Sequence, residues 1–560
     1  MKFGNILAIS FTVFIPFAAS PALAQTVPSD AAPDAHIRER FTQIPAPDDP
    51  TVRKKPNALP IPNFAQYEAV RLNPAHIEVD GVSAYKQGDI AQLVASLEGH
   101  EISLADIYRL AATLTAKYRH DGYILSRVVV PPQQFSKDGS TIRLRALEGY
   151  INAVKWPAKA ATYPDFFKAN SRKITRDKPL SVTTLERFLL LANDLPGLTF
   201  RSTLQPATDQ PAASTLSLDM TQQPISGQIT VNNRGSEGRG PVQFIGSLAL
   251  NNLAHQDESL GLTFATVPDA RQLMYGALDF KKILNSEGLS LLVSPYYDSG
   301  FPGVPTLGAL NYHSEAYGIE GGLSYPLVRS RAKNLTLFGV MFAENYQGTV
   351  SAGILSRDRL RGIRSRLIYD SSDSSPGINQ AVLAFSQGID GAGSTENGQP
   401  LASRAVGRVD FSKLNLTVNR TQFLPHSFSL YAGLDGQYAF NPLQPIEQCT
   451  FGGDHYGRAY DPSALVGDRC LAETGEIRFD FRTKGKSVTA AQVYGYADHG
   501  DLWTLEPAAG TPAHLAGTSV GGGLRVTLFT RLALSGEIGS RLSGAFSREV
   551  RGFFSATLKI

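Results

Sequence analysis

From Pro224 to the C-terminus the sequence alternates apolar and polar residues with a period of two. In the stretch EIRFDFRT, for example, Ile477 and Phe479 alternate with Arg478 and Asp480. Successive side chains of a β-strand point to opposite faces, so this pattern predicts strands with one apolar and one polar face. Such strands form either a half-buried sheet of a soluble protein or a wall with lipid outside and water inside.

The N-terminus indicates that the chain leaves the cytoplasm. Residues 1–24 place one lysine before an apolar run and end in Ala22-Leu23-Ala24, which is typical of a cleaved signal peptide. After residue 25 no stretch of about 18 apolar residues follows, so no transmembrane helix is predicted. Outside the cytoplasm thiols can stay oxidised, which makes Cys449 and Cys470 candidates for a disulfide, with two free thiols as the alternative.

The alternating region contains sixteen candidate strands of about ten residues. They lie near 225–234, 241–252, 258–267, 272–282, 288–298, 314–326, 333–345, 358–370, 377–389, 404–419, 425–440, 473–484, 491–499, 516–529, 531–543 and 551–560. Because lipid leaves no sheet edge unpaired, an even number of such strands predicts an all-β transmembrane barrel of about 16 antiparallel strands over residues 225–560. A count of roughly 14 or 18, and a soluble sandwich or propeller, are the alternatives.

Two small α/β domains are predicted between the N-terminal segment and the barrel, at 71–151 and 152–224. In the first, apolar residues recur at helical spacing from Ile107 to Tyr118, and Gly122 stands where a helix would end. The proline-rich segment 25–70 is predicted to be a linker that holds a short helix at 34–44, with a disordered tail as the alternative.

Several classes of function are disfavoured by the sequence. A net charge of +3 is too small to indicate nucleic acid as a partner. Neither α/β domain holds a catalytic-looking cluster, and the chain has no His-Glu-x-x-His helix. Its 10 histidines are scattered without the spacing of metal ligands. We therefore expect no enzyme activity, no cofactor and no metal site.

Four stretches are similar to one family, the outer-membrane transporters of two-partner secretion, which are the haemolysin secretion and activation proteins. GYILSRVVVPPQ and GSTIRLRALEGYI resemble the first periplasmic POTRA module of that family, and LERFLLLANDLPGLTFRSTLQPA resembles the second. The resemblance implies a barrel in the outer membrane with POTRA domains in the periplasm, and implies that the helix at 34–44 is a plug of the lumen. It also implies that the POTRA domains recognise an unfolded secreted partner, which then crosses the barrel.

The fourth stretch, FGGDHYGRAYDPSALVGD, lies in the predicted sixth outer loop, 441–472, and resembles the loop that folds into the lumen in this family. The resemblance implies a loop latch in which Gly457, Arg458 and Tyr460 at the tip are held by Asp498 on the thirteenth strand. Many family members have Val-Arg-Gly-aromatic at the tip, whereas this chain has Tyr-Gly-Arg-Ala-Tyr. The tetrapeptide at 550–553, VRGF, matches those letters but is interpreted as the start of the last strand.

The POTRA stretches also predict a groove for the client chain, where an extended segment would add to a sheet edge. Its candidate residues are Gly122, Tyr123, Arg127, Pro131, Gln133, Leu195, Pro196 and Gly197. The expected partners are the secreted passenger, outer-membrane lipid and the barrel assembly machinery during insertion. A barrel assembly factor and a porin-like solute channel are the alternative functions.

Overall fold

The computed structural model describes residues 63–134, 139–159, 164–208, 210–483, 485–544 and 546–560. The predicted signal peptide, the predicted helix at 34–44 and most of the predicted linker lie outside these residues. Within the described ranges, none of the helices has the length and apolar character that crossing a bilayer requires.

The first α/β domain is a small sheet covered by a long helix. Its elements are β1 Arg71–Leu72, β2 His76–Asp80, α1 Gln87–Val94, β3 Ile102–Ser103, α2 Leu104–His120, β4 Arg127–Val129 and β5 Thr141–Leu147. In the sheet order β2-β5-β4, β2 is parallel and β4 antiparallel to β5. A capping box between Ser103 and Asp106 starts α2, and its apolar face from Ile107 to Tyr118 is buried as predicted.

Glu148, in the stretch GSTIRLRALEGYI, fastens the segment before α1 to the end of β5. Its carboxylate accepts hydrogen bonds at 2.8 Å from the backbone N–H groups of Ser83 and Ala84 and from the Tyr118 hydroxyl. Burial acts to raise the pKa of Glu148, but the hydrogen bonds favour the charged form and hold the pKa below its usual range. This residue therefore maintains the fold of the domain.

The second α/β domain repeats the arrangement with two helices. Its elements are β6 Tyr150–Lys155, α3 Pro164–Arg176, α4 Val182–Asn193, β7 Leu198–Pro206 and β8 Ala213–Gln222, in the sheet order β6-β8-β7. Since β6 pairs with β8 from Tyr150 onward, this domain starts two residues before the predicted boundary at 152. Helix α3 was not predicted, although its residues Phe166, Phe167 and Ile174 are buried in the core.

The prediction of a barrel of about 16 antiparallel strands is confirmed. Strands β9 to β26 are Ile225–Asn232, Gln243–Asn251, Glu258–Thr266, Met274–Ile283, Ser290–Gly300, His313–Arg329, Lys333–Val350, Gly353–Asp373, Gly377–Gly388, Ser412–Phe423, Phe428–Ala439, Cys449–Phe451, Leu465–Gly467, Arg469–Phe481, Val488–Trp503, His514–Leu528, Leu532–Gly544 and Val550–Lys559. Strands β20 and β21 pair only with each other, and the rest form a closed barrel in which β26 pairs with β9. A short helix, α5 Pro305–Gly308, lies in one loop.

Alternation along the barrel strands separates an apolar outer surface from a polar lumen. Met341 on β15 and Ile538 on β25 point outward with 69% and 65% of their surface exposed, whereas Asp498 and Glu476 point inward and are buried. The α/β domains lie at one rim, which we term the inner rim, and the other rim is the outer rim. Apolar side chains outside and charged side chains inside are typical of a barrel that stands in a bilayer.

One predicted strand is wrong at its start. Residues 404–411 were assigned to the strand at 404–419, but β18 begins at Ser412 and residues 389–411 form the fifth outer loop. Val409 and Phe411 alternate with polar residues because they are buried against Leu443 of the sixth loop and Phe342 of the barrel wall. Their alternation therefore reflects packing of two loops and not a lipid-facing strand.

The second α/β domain is fastened to the inner rim by ion pairs. Glu287, in the turn after β12, contacts Lys173 and, at 3.2 Å, Arg187. Arg329 at the end of β14 binds both carboxylate oxygens of Asp194, at 2.6 and 2.8 Å. Ile283 of the barrel is buried in the core of the domain. These contacts fix the domain beneath the barrel opening.

We predict that Glu287→Gln loosens the second α/β domain from the barrel. The change leaves Lys173 and Arg187 without their carboxylate, which should cost roughly 1 kcal/mol for a partly exposed site and raise the population of the detached state about fivefold. Limited proteolysis of the connection at residues 222–225 measures this population. The control Glu186→Gln should cleave as the wild type does, since Glu186 lies 3.8 Å from the exposed Arg331. Equal cleavage of both variants would contradict the prediction.

Candidate functional site

The sixth outer loop, residues 440–468, leaves the outer rim after β19 and returns to it at β22. The loop is shorter than the predicted 441–472, because β22 already begins at Arg469. Strands β20 and β21 form a hairpin at its base, where a disulfide joins Cys449 to Cys470. Beyond the hairpin, residues 452–464 form a tip that contacts lumen-facing side chains in the middle of β22 and β23. The loop therefore enters the lumen.

Arg458 at the tip is 5% exposed and is bound by carboxylates of two strands. Its Nη2 and Nε donate to the two carboxylate oxygens of Asp498 on β23 at 2.8 and 3.2 Å, and its backbone N–H donates to the same carboxylate at 2.9 Å. Its Nη1 donates to Glu476 on β22 at 2.6 Å. Arg458 thus makes a bidentate pair with one carboxylate and a second ion pair with another.

Asp498 is 1% exposed, and hydroxyl groups complete its hydrogen bonding. Thr474 donates to one carboxylate oxygen at 2.7 Å and Ser519 to the other at 3.0 Å. A buried ion pair is stable only when the remaining lone pairs of the carboxylate are also satisfied. The surroundings of Asp498 meet this condition.

Glu476 connects Arg458 to two further arginines. Its second carboxylate oxygen accepts from Arg478 at 2.6 Å and from Arg525 on β24 at 2.7 Å. Glu476 was not among the predicted site residues, but its parity with Arg478 and Asp480 in the stretch EIRFDF already placed it on the polar face. That parity is the signal that could have identified it.

Aromatic rings and the first outer loop complete the surroundings of the tip. The guanidinium of Arg458 lies 3.5 Å from the ring centroid of Tyr496. The hydroxyls of Tyr494 and Tyr496 donate to Glu537 on β25 at 2.6 and 3.0 Å. Arg234, in the first outer loop, donates to Glu537 at 2.7 Å and to the Arg458 carbonyl at 2.9 Å. No local sequence signal connects Arg234 or Glu537 with the tip.

The other two predicted tip residues have steric and hydrogen-bonding roles. Gly457 has φ +71°, and a Cβ there would lie 2.5 Å from the ring of Phe451, so a larger residue would displace the tip. Tyr460 is buried, and its hydroxyl donates to the Ser543 carbonyl and accepts from the Thr518 N–H at 3.2 Å.

The VRGF stretch at 550–553 opens β26, as interpreted from the sequence. It also contacts the loop, since Arg551 lies 2.7 Å from Asp461 of the tip. The matching tetrapeptide is therefore a strand start that supports the tip from the side.

The base of the loop is attached to a different part of the barrel wall. Glu447, which is 2% exposed, pairs with Arg364 on β16 at 2.9 Å and with Lys413 on β18 at 2.6 Å. Strand β16 is five strand positions from β23 in the barrel order. The loop thus crosses the lumen from the Glu447 contacts to the Arg458 contacts.

Asp468 joins three outer loops at the same end. Its carboxylate pairs with Arg404 of the fifth loop at 2.7 Å and accepts from the N–H groups of Leu443 and of Leu505 in the seventh loop, at 2.9 and 2.7 Å. Together with the disulfide, these bonds hold the base of the sixth loop at the outer rim.

The eight residues predicted for a client groove do not lie on one surface. Gly122 and Tyr123 follow α2, where the Gly122 carbonyl accepts from the N–H of Val182 in the second domain. Arg127, Pro131 and Gln133 lie on or after the edge strand β4. Leu195, Pro196 and Gly197 precede β7 at the barrel junction, where a Cβ on Gly197 would meet Asn251. The first group thus lies where the two domains meet, the second at a sheet edge of the first domain, and the third where the second domain meets the barrel.

Two families match the sequence. Residues 72–149 match the family described as POTRA domain, ShlB-type, and residues 308–524 match haemolysin secretion/activation protein ShlB/FhaC/HecB. The chain is 20% identical over 368 residues to the heme/hemopexin transporter protein HuxB of Haemophilus influenzae, covering 65% of this chain and 64% of that protein. It is 24% identical over 497 residues to the outer membrane transporter CdiB of Dickeya dadantii, covering 84% and 81%.

Solved structures share the fold. CdiB from Escherichia coli superposes with a TM-score of 0.74 at 16% identity, covering 98% of this chain and 100% of that chain. CdiB from Acinetobacter baumannii gives 0.62, also at 16% identity and with the same coverage. The barrel and its α/β domains thus define an outer-membrane protein with periplasmic POTRA domains. Both family models confirm the resemblance to the haemolysin secretion and activation proteins that the sequence showed.

We predict that Glu447→Gln destabilises the folded barrel. The variant leaves the buried Lys413 without its carboxylate and leaves Arg364 with Glu320 alone, which should cost about 3–5 kcal/mol. The measurement is the midpoint temperature at which the folded barrel loses its compact electrophoretic mobility. As a control, Glu315→Gln removes a carboxylate on the outer face that accepts from the Tyr297 hydroxyl, and it should leave the midpoint nearly unchanged. An unchanged midpoint for Glu447→Gln would refute the anchoring role.

Proposed function

We propose that this protein carries an unfolded secreted partner from the periplasm through its barrel to the cell surface. The observation that carries the proposal is a lumen crossed by a loop whose tip is held by ion pairs, hydrogen bonds and ring contacts. The chain spans 64% of the length of the HuxB relatives, whose name describes heme/hemopexin transport. The partner that we propose is a secreted protein, which the family description, haemolysin secretion/activation protein, supports.

The contacts at the tip suit a loop that moves during transport. The tip is joined to the wall by ion pairs, hydrogen bonds and ring contacts, whereas the disulfide lies at the base. Closing a loop of about 20 residues by a disulfide removes roughly 3 kcal/mol of chain entropy from the unfolded state. We propose that the base stays in place while the Arg458 contacts with Asp498 and Glu476 break and re-form.

The edge strand β7 is our proposed attachment point for the client. It is an edge of the sheet β6-β8-β7, is nine residues long, and is exposed along most of its length. An extended chain can pair with such an edge through main-chain hydrogen bonds with little demand on its sequence. Strand β4 offers a shorter edge, because the side chain of Gln133 already bonds the backbone of Arg143 next to it.

Transport, and not catalysis, is the activity we propose, with lipid and the barrel assembly machinery as further partners and no nucleic acid. A small-solute channel fits the barrel less well, because the sixth loop occupies the lumen. The two POTRA domains fit a transporter better than an assembly factor, which usually carries more of them.

We predict that Arg458→Ala reduces secretion about tenfold or more while the barrel still inserts, because the change leaves Asp498 buried without its cation and the tip without a fixed position. Glu476 keeps its contacts with Arg478 and Arg525. The measurement compares passenger in the medium and on the cell surface with barrel in the outer membrane. Arg271→Ala, which removes an 82% exposed arginine in the second outer loop, serves as the control.

The pairing itself is tested by a double variant. If Arg458 and Asp498 act as a unit, the double variant Arg458→Ala with Asp498→Ala should secrete at least as much passenger as whichever single variant secretes less. Wild-type secretion by Arg458→Ala would refute the latch. Normal secretion of the neighbouring passenger in a deletion strain would refute the proposed transport function altogether.

A further inference from the structure

Strand β16 carries three arginines on the face that points away from the lumen. Asp358 and Gly362 point inward and are buried, whereas Arg357, Arg359 and Arg361 occupy the alternate positions. The strand register places Arg359 beside residues of the same outer face on β15 and β14. All three guanidinium groups therefore lie on the outer surface of the barrel.

The arginines begin where the apolar surface ends. The next outward-facing residue toward the inner rim is Ile363, which is 47% exposed. The adjacent strand β17 ends at Gly388, opposite Gly362, so beyond this point β16 pairs with β15 on one side and has the fifth loop on the other. About 9–11 residues of a strand cross a bilayer, and Arg361 lies beyond that length from the inner end of β16. The arginines are thus level with the headgroups of the outer leaflet.

Among the residues that the structure describes, these arginines have no anionic partner. Arg357 donates to the side-chain oxygen of Gln347 at 3.2 Å, and Arg361 to that of Asn345 at 3.0 Å. The side chain of Arg359 is exposed and makes no hydrogen bond to any described residue. Across the described ranges, no carboxylate lies within ion-pairing distance of the three guanidinium groups. Three positive charges therefore face outward without compensation.

The spacing of the charges suits a ligand with several anionic groups. Alternate residues of a strand are about 6.8 Å apart, so three like charges stand in a row and repel one another unless an anion binds. A guanidinium binds phosphate oxygens in a planar, bidentate geometry. Tyr317, on the same face of β14 and 48% exposed, is an aromatic residue at the same level, as in the girdles of membrane barrels.

We propose that Arg357, Arg359 and Arg361 form a binding site for the phosphate groups of lipopolysaccharide in the outer leaflet. The apolar surface directly below the arginines distinguishes a lipid from a soluble anion. Ile363 and Met341 are adjacent in the strand register and would contact acyl chains while the arginines bind the headgroup. Basic clusters next to a membrane surface attract anionic headgroups in this way.

The test measures binding of labelled lipopolysaccharide to the full-length protein in detergent. The variant combines Arg357→Gln, Arg359→Gln and Arg361→Gln. Affinity for phosphorylated lipopolysaccharide should fall about a hundredfold, from roughly fivefold for each arginine. Affinity for dephosphorylated lipopolysaccharide should stay unchanged. Undiminished binding of the phosphorylated form by the folded triple variant would overturn the proposal.

Two controls keep the result interpretable. Arg359→Gln alone breaks no hydrogen bond and should still lower affinity about fivefold, whereas Arg271→Gln should not change it. An equal loss with Arg271→Gln would overturn the site. Inorganic phosphate alone, if it bound the wild type as tightly as lipopolysaccharide, would overturn the assignment to lipid. A loss of passenger binding with unchanged lipopolysaccharide binding would assign the arginines to protein docking instead.

Discussion

The position of the sixth loop depends on one desolvated ion-pair cluster, in which Arg458 contacts both Asp498 and Glu476. A charged side chain in an aqueous lumen keeps its hydration unless neighbouring groups exclude water. Here the loop tip and the ring of Tyr496 cover the guanidinium, and the two carboxylates replace its water at 2.8 and 2.6 Å. Since removal of one partner from a buried pair costs far more than the pair itself contributes, the tip has one strongly preferred position.

The contacts of the loop are divided by kind between its base and its tip. The base is held by the disulfide, by Asp468 at the junction of three loops and by Glu447 on a distant part of the wall. The tip is held by polar groups that water or a passing chain can replace. In the proposed transport cycle, this division gives a hinge at the outer rim and a releasable contact in the lumen. Because the contacts at the tip can be replaced, the loop crosses the lumen without linking the two sides of the barrel permanently.

The sequence predicted the barrel well, because lipid outside and water inside impose a period of two that is readable residue by residue. The partner of Arg458 was reached only through a family resemblance. The alternation in EIRFDF could have identified Glu476. It could not identify Arg234 or Glu537, which lie beside the tip but on a loop and a strand distant in sequence, or Glu447, whose partners lie on distant strands of the wall. Residues 404–411 were misassigned for a related reason: burial between two loops produces the same alternation as burial in lipid.

The outer end of β16 is a second place where the alternation of apolar and polar residues was not enough to predict the structure. The sequence predicted this strand from 358, whereas it begins at Gly353. The missing residues include Arg357, and the arginines that follow alternate with buried residues without any apolar side chain facing outward. A search for lipid-facing strands misses such a segment, because its outward side chains lie beyond the hydrocarbon core of the bilayer. The inward Arg364 is neutralised by Glu320 and Glu447, while the outward arginines have no carboxylate among the described residues. In the proposed site, the phosphate groups of lipopolysaccharide supply the compensating negative charge.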